Sequence, residues 1–444
     1  MADYFKGISS SQKYEIVKKL GEGGQGTVAL VENKKNGKRY AAKWYNSSTI
    51  NNEQQQRLEK LVSRGCPVAP DKGIKFIWPI EMIGYDRSKN GFGYIMPLID
   101  TERFFTVNKI SRGTKQPNLQ ILSRISYLLA LSLDTIHVSG LAYCDINKDN
   151  WMLDPDTGDI VICDNDNVVV NNSNVPVKGV WEFMAPEVAL GTSHPNAETD
   201  KYSIAVMLYY LWMWEHPMEG KKALSIYSWD IPAKKEFYAL KPVFVFDPQN
   251  DSNNAEGVSD LETSVKRWDR MCPPRLKEMF TTVFTKGVQD PNYRVQLLDW
   301  QRVFLELNAN AIVCPSCNSM NVWDGRQTPL TCFNCRAGIP FQLHLSVNHG
   351  FGEETNILVA PGVKIRRHHL DTVKFGSFAE DIVGSIEPHP KSAKACILRN
   401  KTGKPWKYKT EDGTEYTIEP DQARALLSNS ELVIDGVKVQ VREG

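Results

Sequence analysis

Between residues 14 and 45, apolar and β-branched positions alternate with polar ones around a glycine-rich stretch, and Asn36-Gly37 supplies a tight turn. This pattern predicts a β-meander. Residues 51–63 have helical spacing, and two strand-like runs follow around Trp78-Pro-Ile-Glu-Met-Ile83 and Gly93-Tyr-Ile-Met96. From Leu119 the apolar positions again recur at helical spacing, with Gly140 placed as a C-terminal stop. Residues 202–214 and 274–284 are further helix candidates, and the stretch 247–256 between them, rich in Asn, Asp and Ser, reads as a solvated loop. Past Asn308 the helical period disappears. A cysteine-bearing segment occupies about 309–341, and the remainder reads as short strands with turns at Asp412-Gly413 and Asp435-Gly436. No internal repeat or low-complexity tract interrupts this α+β order.

At 444 residues the chain exceeds what one hydrophobic core usually organises, so two or three domains are expected. With 41% hydrophobic residues it can bury a real core, and a formal net charge of +1 gives no electrostatic reason to expect nucleic acid or an anionic membrane. The opening residues, MADYFKGISSSQKY, lack an apolar run behind basic residues, which argues against a secretory signal and for a cytoplasmic protein. The apolar stretch 202–214 is too short to span a bilayer and reads as a buried helix. Nine cysteines make an awkward disulfide set, but four of them pair off as Cys-x-x-Cys twins, a spacing that points to metal in a reducing compartment.

The candidate chemistry lies in an ordered series of short motifs. They run Gly21-Glu-Gly-Gly-Gln-Gly-Thr-Val28, Ala41-Ala-Lys43, Tyr143-Cys-Asp-Ile-Asn-Lys-Asp-Asn150, Asp164-Asn-Asp166, Ala185-Pro-Glu187 and Asp290-Pro-Asn-Tyr-Arg294. A glycine loop alone is weak, because dinucleotide-binding folds share the spacing. Here, however, the loop continues into a β-branched run and a hairpin turn rather than opening a helix. Gly21, Gly23 and Gly26 would let backbone N–H groups approach phosphates without a Cβ in the way. In content, order and spacing the series resembles the protein-kinase signature set.

That resemblance implies a bilobal kinase domain over residues 1–308, with an amino lobe to about 99 and a carboxyl lobe from about 100. It implies ATP and Mg²⁺ (or Mn²⁺) as cofactors and a protein substrate, with serine or threonine as the expected acceptor. Lys43 would contact the α- and β-phosphates, and Asp145 would orient the substrate hydroxyl for in-line attack. Asn150 and Asp164 would hold magnesium through hard oxygen ligands. Val28 and Ala41 would cover one face of adenine and Met152 the other. Met96 would be the gatekeeper before a hinge at Pro97-Leu98-Ile99, with Leu20 and Leu98 also at the nucleotide. A glutamate on the helix after Lys43 should hold the ammonium in place, and Glu59 is favoured over Glu53. Asp200 would hold the catalytic loop, and Arg294 would pair with Glu187 in a structural role.

The chain departs from the pattern at several points. Cys144 replaces the arginine before the catalytic aspartate, so control by a phosphorylated activation loop lacks its partner. Asn147 stands where serine/threonine kinases place a lysine, with Lys148 beside it. Asn165 and Asp166 replace the Phe and Gly of D-F-G, and Val180 replaces a threonine. A pseudokinase scaffold that binds nucleotide and recruits partners is therefore the alternative. Retention of Lys43, Asp145, Asn150 and Asp164 together favours the enzyme. Small-molecule kinases share the nucleotide motifs, but Ala-Pro-Glu and Arg294 favour a protein substrate.

Cys314-Pro-Ser-Cys317 and Cys332-Phe-Asn-Cys335 have the spacing of a zinc ribbon at 309–341, a closed four-sulfur site that leaves no position for water. A rubredoxin-like iron site is the runner-up. Arg326 and Arg336 lie in this module without the dense basic and aromatic interleaving of a nucleic-acid surface, so nucleic acid is not an expected partner. Residues 342–444 look like a small β-sandwich reminiscent of forkhead-associated domains, without the Gly-Arg strand end or Ser-x-x-His pattern used to bind phosphothreonine. The order kinase, ribbon, β-tail resembles bacterial kinases associated with von Willebrand A-type proteins and PP2C-type phosphatases. By that resemblance the substrate would be a von Willebrand A-type protein, opposed by a PP2C-type phosphatase.

Overall fold

The computed structural model describes residues 4–23, 26–45, 52–67, 73–85, 91–113, 115–173, 179–326, 329–350, 353–371 and 381–444. Gly24 and Gln25 of the glycine loop lie outside them. The chain divides into two compact units: Met1–Thr114 with Ser132–Asp154 and Asp159–Met207, and Lys115–Leu131 with Pro155–Gly158 and Leu208–Gly444.

The first unit opens with strands β1 (Tyr4–Gly7), β2 (Lys13–Glu22), β3 (Gly26–Asn33) and β4 (Arg39–Tyr45), helix α1 (Asn52–Arg64), and strands β5 (Ile74–Phe76), β6 (Glu81–Tyr85) and β7 (Gly93–Pro97). All the strands but β5 close a barrel in the order β1-β2-β3-β4-β7-β6. The expected meander is β2–β3–β4, and Gly37 at φ +67° makes its second hairpin turn. Because strand side chains alternate, β4 feeds two separate apolar clusters. Ala42 packs with Phe5, Val31, Ile83 and Ile95, whereas Ala41 and Tyr45 pack with Leu58 of α1, Tyr94 and Met96. Strand β5 leaves the barrel and pairs in parallel with Ile160–Ile162, which pairs antiparallel with Trp151–Leu153.

The apolar stretch 202–214 falls on the helix Ala197–Met213, with Trp214 one residue past its end, and Ile204 through Tyr209 are all fully buried. A helix apolar all round is a core helix. The helix Leu119–Val138 is long and apolar enough to cross a membrane, but Leu122, Ile125, Leu129, Leu133 and Ile136 are buried within the protein.

In the second unit, the helices Pro274–Gln289 and Leu297–Ala309 contribute Phe280, Phe284, Trp300 and Phe304 to an aromatic core with Tyr209 and Trp212. The Asn- and Asp-rich stretch 247–256 is more than a solvated loop. Asn253 is buried and its amide nitrogen donates to the carbonyls of Met218 (2.6 Å) and Val243 (2.7 Å). Beyond Ala309 a two-stranded ribbon, Ala311–Val313 with Met320–Val322, precedes two antiparallel sheets of six and four strands. The six-stranded sheet supplies Leu345, Trp406, Leu432 and Val439 and the four-stranded sheet Ile365, Ile386 and Leu398 to a single core, which also contains Cys314, Trp323 and Cys332 of the ribbon. Ribbon and β-sandwich therefore share one interior.

Candidate active site and cysteine cluster

Strand β4 lies between β3 and β7, and Lys43 is opposite Val28 on one side and Tyr94 on the other. Two glycines bring the backbones close there. A Cβ on Gly26 would sit 2.2 Å from the carbonyl oxygen of Trp44, and one on Gly93 would sit 2.3 Å from that of Lys43, whereas Gly21 and Gly23 face open space. Gly26 is thus required by packing of the strand that carries Lys43, independently of any approach to phosphate.

The Lys43 ammonium is 2.9 Å from Asp166 Oδ2 and 3.5 Å from Asp164 Oδ1. Burial disfavours the charged lysine, but Asp166 and Asp164 outweigh it and hold its pKa above the ordinary value. Burial likewise disfavours the Asp166 carboxylate, and Lys43 with the Tyr45 hydroxyl outweighs it, so Asp166 stays ionised. Tyr45 is two residues along β4 on the same face as Lys43, and its hydroxyl donates to Asp166 Oδ2. Neither glutamate of α1 is paired with the lysine. Glu53 and Glu59 are exposed, and Glu59 accepts instead from Gln55 Nε2 at 3.0 Å. The expected Lys43–Glu59 pair is corrected on this point: α1 buries Leu58 and Leu61 and turns its glutamates to solvent. Sequence reasoning missed Asp166 as the lysine's partner, although a carboxylate at the third position of Asp164-Asn165-Asp166 was a visible signal.

Asp145 is enclosed by amides. Asn147 Nδ2 donates to its Oδ1 (3.1 Å), and Asn150 Nδ2 (2.9 Å) and Asn167 Nδ2 (3.0 Å) donate to its Oδ2. Burial raises the Asp145 pKa, the Asn147 and Asn150 bonds oppose that, and the charges of Asp164 and Asp166 add to it. Asn147, which stands in the place of a lysine, thus holds the carboxylate by hydrogen bonding. Donation by its nitrogen leaves Asn150 its carbonyl oxygen as a ligand atom, and Asp164, left-handed at φ +46°, keeps its side chain 41% exposed. These are hard oxygen donors of the kind magnesium takes. Asp200 accepts from the backbone N–H groups of Tyr143 (2.8 Å) and Cys144 (3.0 Å) and meets His137 Nε2 at 3.0 Å, so it does hold the loop before Asp145. Cys144 is left-handed at φ +67°.

The expected adenine contacts Val28, Ala41, Met96, Leu98 and Met152 all belong to one apolar cluster with Tyr94 and Val161. Leu20 is apart from it and 46% exposed on β2. Arg294 is buried and its Nε donates to the Gly287 carbonyl at 3.1 Å.

The four cysteines of the ribbon converge. Their sulfurs lie within 4.8 Å of one another, and Cys314–Cys335 and Cys317–Cys332 are each 3.6 Å apart. Tetrahedral thiolates at about 2.3 Å from an ion stand about 3.8 Å from one another, so the cluster fits a four-sulfur metal site. The two turns are built alike: Asn318 and Arg336 are left-handed at φ +59° and +65°, and each donates its N–H to the carbonyl of the first cysteine of its pair at 3.0 Å. Asn321 Nδ2 and Asn334 Nδ2 approach Cys332 and Cys317 sulfurs at 3.6 and 3.7 Å, as second-layer donors to thiolates do. All nine cysteines are free thiols.

The sequence is similar to those of known protein kinases. A cAMP-dependent protein kinase, catalytic subunit-like, of Caenorhabditis briggsae is 25% identical over 52% of this chain and 57% of its own length. The serine/threonine-protein kinase PknD of Chlamydia muridarum is 25% identical over 48% of this chain and 26% of its own. A probable serine/threonine-protein kinase RTK1 of Saccharomyces cerevisiae is 24% identical over 58% of this chain and 40% of its own. The chain thus spans less than two thirds of the length of each of these relatives. The protein kinase domain family matches residues 14–285, more than half of the sequence, and the chain belongs to that family.

Proposed function

We propose that the chain is an active ATP- and magnesium-dependent protein kinase acting on serine or threonine hydroxyls. The observation that carries this reading is the Asp145 carboxylate, held by three asparagine amides in the same unit as the paired Lys43 and the Asp164 side chain. Asp145 would accept the hydrogen bond of the substrate hydroxyl and aim its oxygen at the γ-phosphorus. A new P–O bond to substrate forms as the bond to the β-phosphate oxygen breaks, ADP leaves, and the hydroxyl proton passes by way of Asp145 to solvent. Asn150 and Asp164 would hold magnesium, which supplies charge neutralisation at the phosphates, and Lys43 would fix the α- and β-phosphates. The apolar cluster around Ala41 and Met152 would take the adenine.

The four cysteines would hold a structural Zn²⁺, since four thiolates leave no open position. A ribbon at 309–341 and a β-sandwich at 342–444 would then serve protein contact. The finer reading of the partners, a von Willebrand A-type substrate with an opposing PP2C-type phosphatase, rests on domain order, and phosphate transfer to such a protein tests it. A cytoplasmic setting suits the free thiols.

The deciding experiment is transfer of labelled γ-phosphate from Mg-ATP to the chain and to a generic protein substrate. Asp145→Asn should lower transfer by about 10²–10⁴-fold with nucleotide binding retained. No transfer by the parent chain, with nucleotide still bound, would favour the scaffold that its Asn147 and Asp166 substitutions suggest.

A further inference from the structure

We propose that Asp166, rather than a glutamate of helix α1, is the positioning carboxylate that holds Lys43 for nucleotide, so that one three-residue segment supplies both a metal-binding carboxylate and the anchor of the lysine. This rests on the reading of Lys43 as the phosphate-contacting lysine. An ammonium aimed at phosphate needs a fixed counter-charge, and a charge-assisted bond supplies one only if its acceptor is itself held. Asp166 meets both conditions. Its side chain is 2% exposed, its Oδ2 is 2.9 Å from the Lys43 ammonium, and the Tyr45 hydroxyl donates to the same oxygen.

The segment around it is pinned at both ends. Asn165 Nδ2 donates to the Ile162 carbonyl (2.8 Å), Asn167 Nδ2 donates to Asp145 (3.0 Å), and Asn165–Asn167 form a single 3₁₀ turn. Lys43 and Tyr45 therefore reach Asp166 from one face of β4, while the side chain of the next residue, Asn167, is bonded to Asp145. The Lys43–Asp164 contact is longer, at 3.5 Å, so Asp164 can turn to a cation while Asp166 keeps the lysine.

Helix α1 is unsuited to the task. Both of its glutamates, Glu53 and Glu59, are exposed, and the α1 side chain whose charge acts on the Tyr45 hydroxyl is a cation, Arg57. The Nε of Arg57 is buried without a hydrogen-bond partner among the described residues. Of the charged side chains on α1, neither carboxylate is turned toward the lysine. Asp166 instead returns a carboxylate at a position where the kinase pattern has glycine.

The test is a titration of the full chain with a fluorescent ATP analogue and Mg²⁺, alongside melting curves, for Asp166→Asn, Lys43→Met, the double variant, Glu53→Gln and Glu59→Gln. Asp166→Asn should weaken nucleotide affinity by about tenfold or more, the size of a lost charge-assisted bond. In the Lys43→Met background the same change should add less than about twofold, because a residue acting through the lysine has nothing left to position. Glu53→Gln and Glu59→Gln should bind as the parent does. A tenfold loss in either glutamate variant, or an Asp166→Asn effect undiminished without Lys43, overturns the proposal. Should Asp166→Asn lose its melting transition, Tyr45→Phe replaces it. Several-fold weaker binding that vanishes without Lys43 supports the anchor, and parent-like binding overturns it. A parent chain that shows the coupling but transfers no phosphate removes the kinase reading and leaves the anchor standing. Transfer by the parent with unaltered binding in Asp166→Asn does the reverse, and a parent that binds no nucleotide overturns both.

Discussion

Asp200 illustrates how a single side chain sets the geometry of a loop it does not belong to. Its two carboxylate oxygens take the N–H groups of Tyr143 and Cys144, and this lets Cys144 adopt its left-handed backbone immediately before Asp145. Asp200→Ala should lower stability by about 3 kcal/mol, since it strips two buried donors of a charged acceptor, and a denaturant titration measures that loss. Glu306 gives a residue-level test in the second unit. Burial pushes its carboxyl up to about 7, against the pull of Arg275, with Asp324 adding to the rise. An unfolded glutamate titrates near 4.3, so between the two values the folded chain keeps a proton that the unfolded chain has lost. This contribution is fully present below about pH 4.3, declines as pH rises to about 7 and is level above it. Melting temperatures between pH 5 and 8 should fall more steeply for the parent than for Glu306→Gln. Lys43, Asp145, Asn150 and Asp164 could be singled out in the sequence by the order of the motifs that carry them, and the structure brings Asn150 to Asp145 and Lys43 to Asp164. Asp166 was visible as an extra carboxylate, but its contact with Lys43 could not be read, since which side chains meet the lysine depends on the face of α1 that Leu58 and Leu61 bury.

At the scale of elements, the barrel follows from short-range alternation, and β2–β3–β4 could be read from the pattern between residues 14 and 45. Closure by β1 could not, because the pairing of β1 with β6 is set by contacts far apart in sequence. The helices Leu119–Val138 and Ala197–Met213 were legible from their apolar density. Neither is amphipathic enough to show which neighbour it packs on. The glycine loop carries two different constraints, and substitutions separate them. Gly26→Ala forces its Cβ against the Trp44 carbonyl and should cost about 1–3 kcal/mol, and it should also weaken nucleotide binding by shifting β4. Gly21→Ala has room for its Cβ and should leave the melting temperature within about 1 °C of the parent.

On the scale of the molecule, the cysteine spacing announced a metal-type cluster, but nothing in the sequence marked Cys314 and Cys332 as part of the sandwich interior. Both are fully buried in the core that holds Trp323, Leu345 and Trp406. Stripping metal with a strong chelator should therefore loosen the β-sandwich as well as the ribbon. The binding free energy of structural zinc, about 10–16 kcal/mol in small modules, is large beside the stability of a domain. Near-ultraviolet circular dichroism of Trp323 and Trp406 would report the change, and Cys332→Ser should reproduce it without chelator. The shared interior also bears on how such a chain can be assembled over evolutionary time. A recombination break placed near residue 342 would deliver a sandwich with a hole where two sulfurs and an indole belong, so the cysteine pairs and the sheets can be inherited together or lost together, but not exchanged singly.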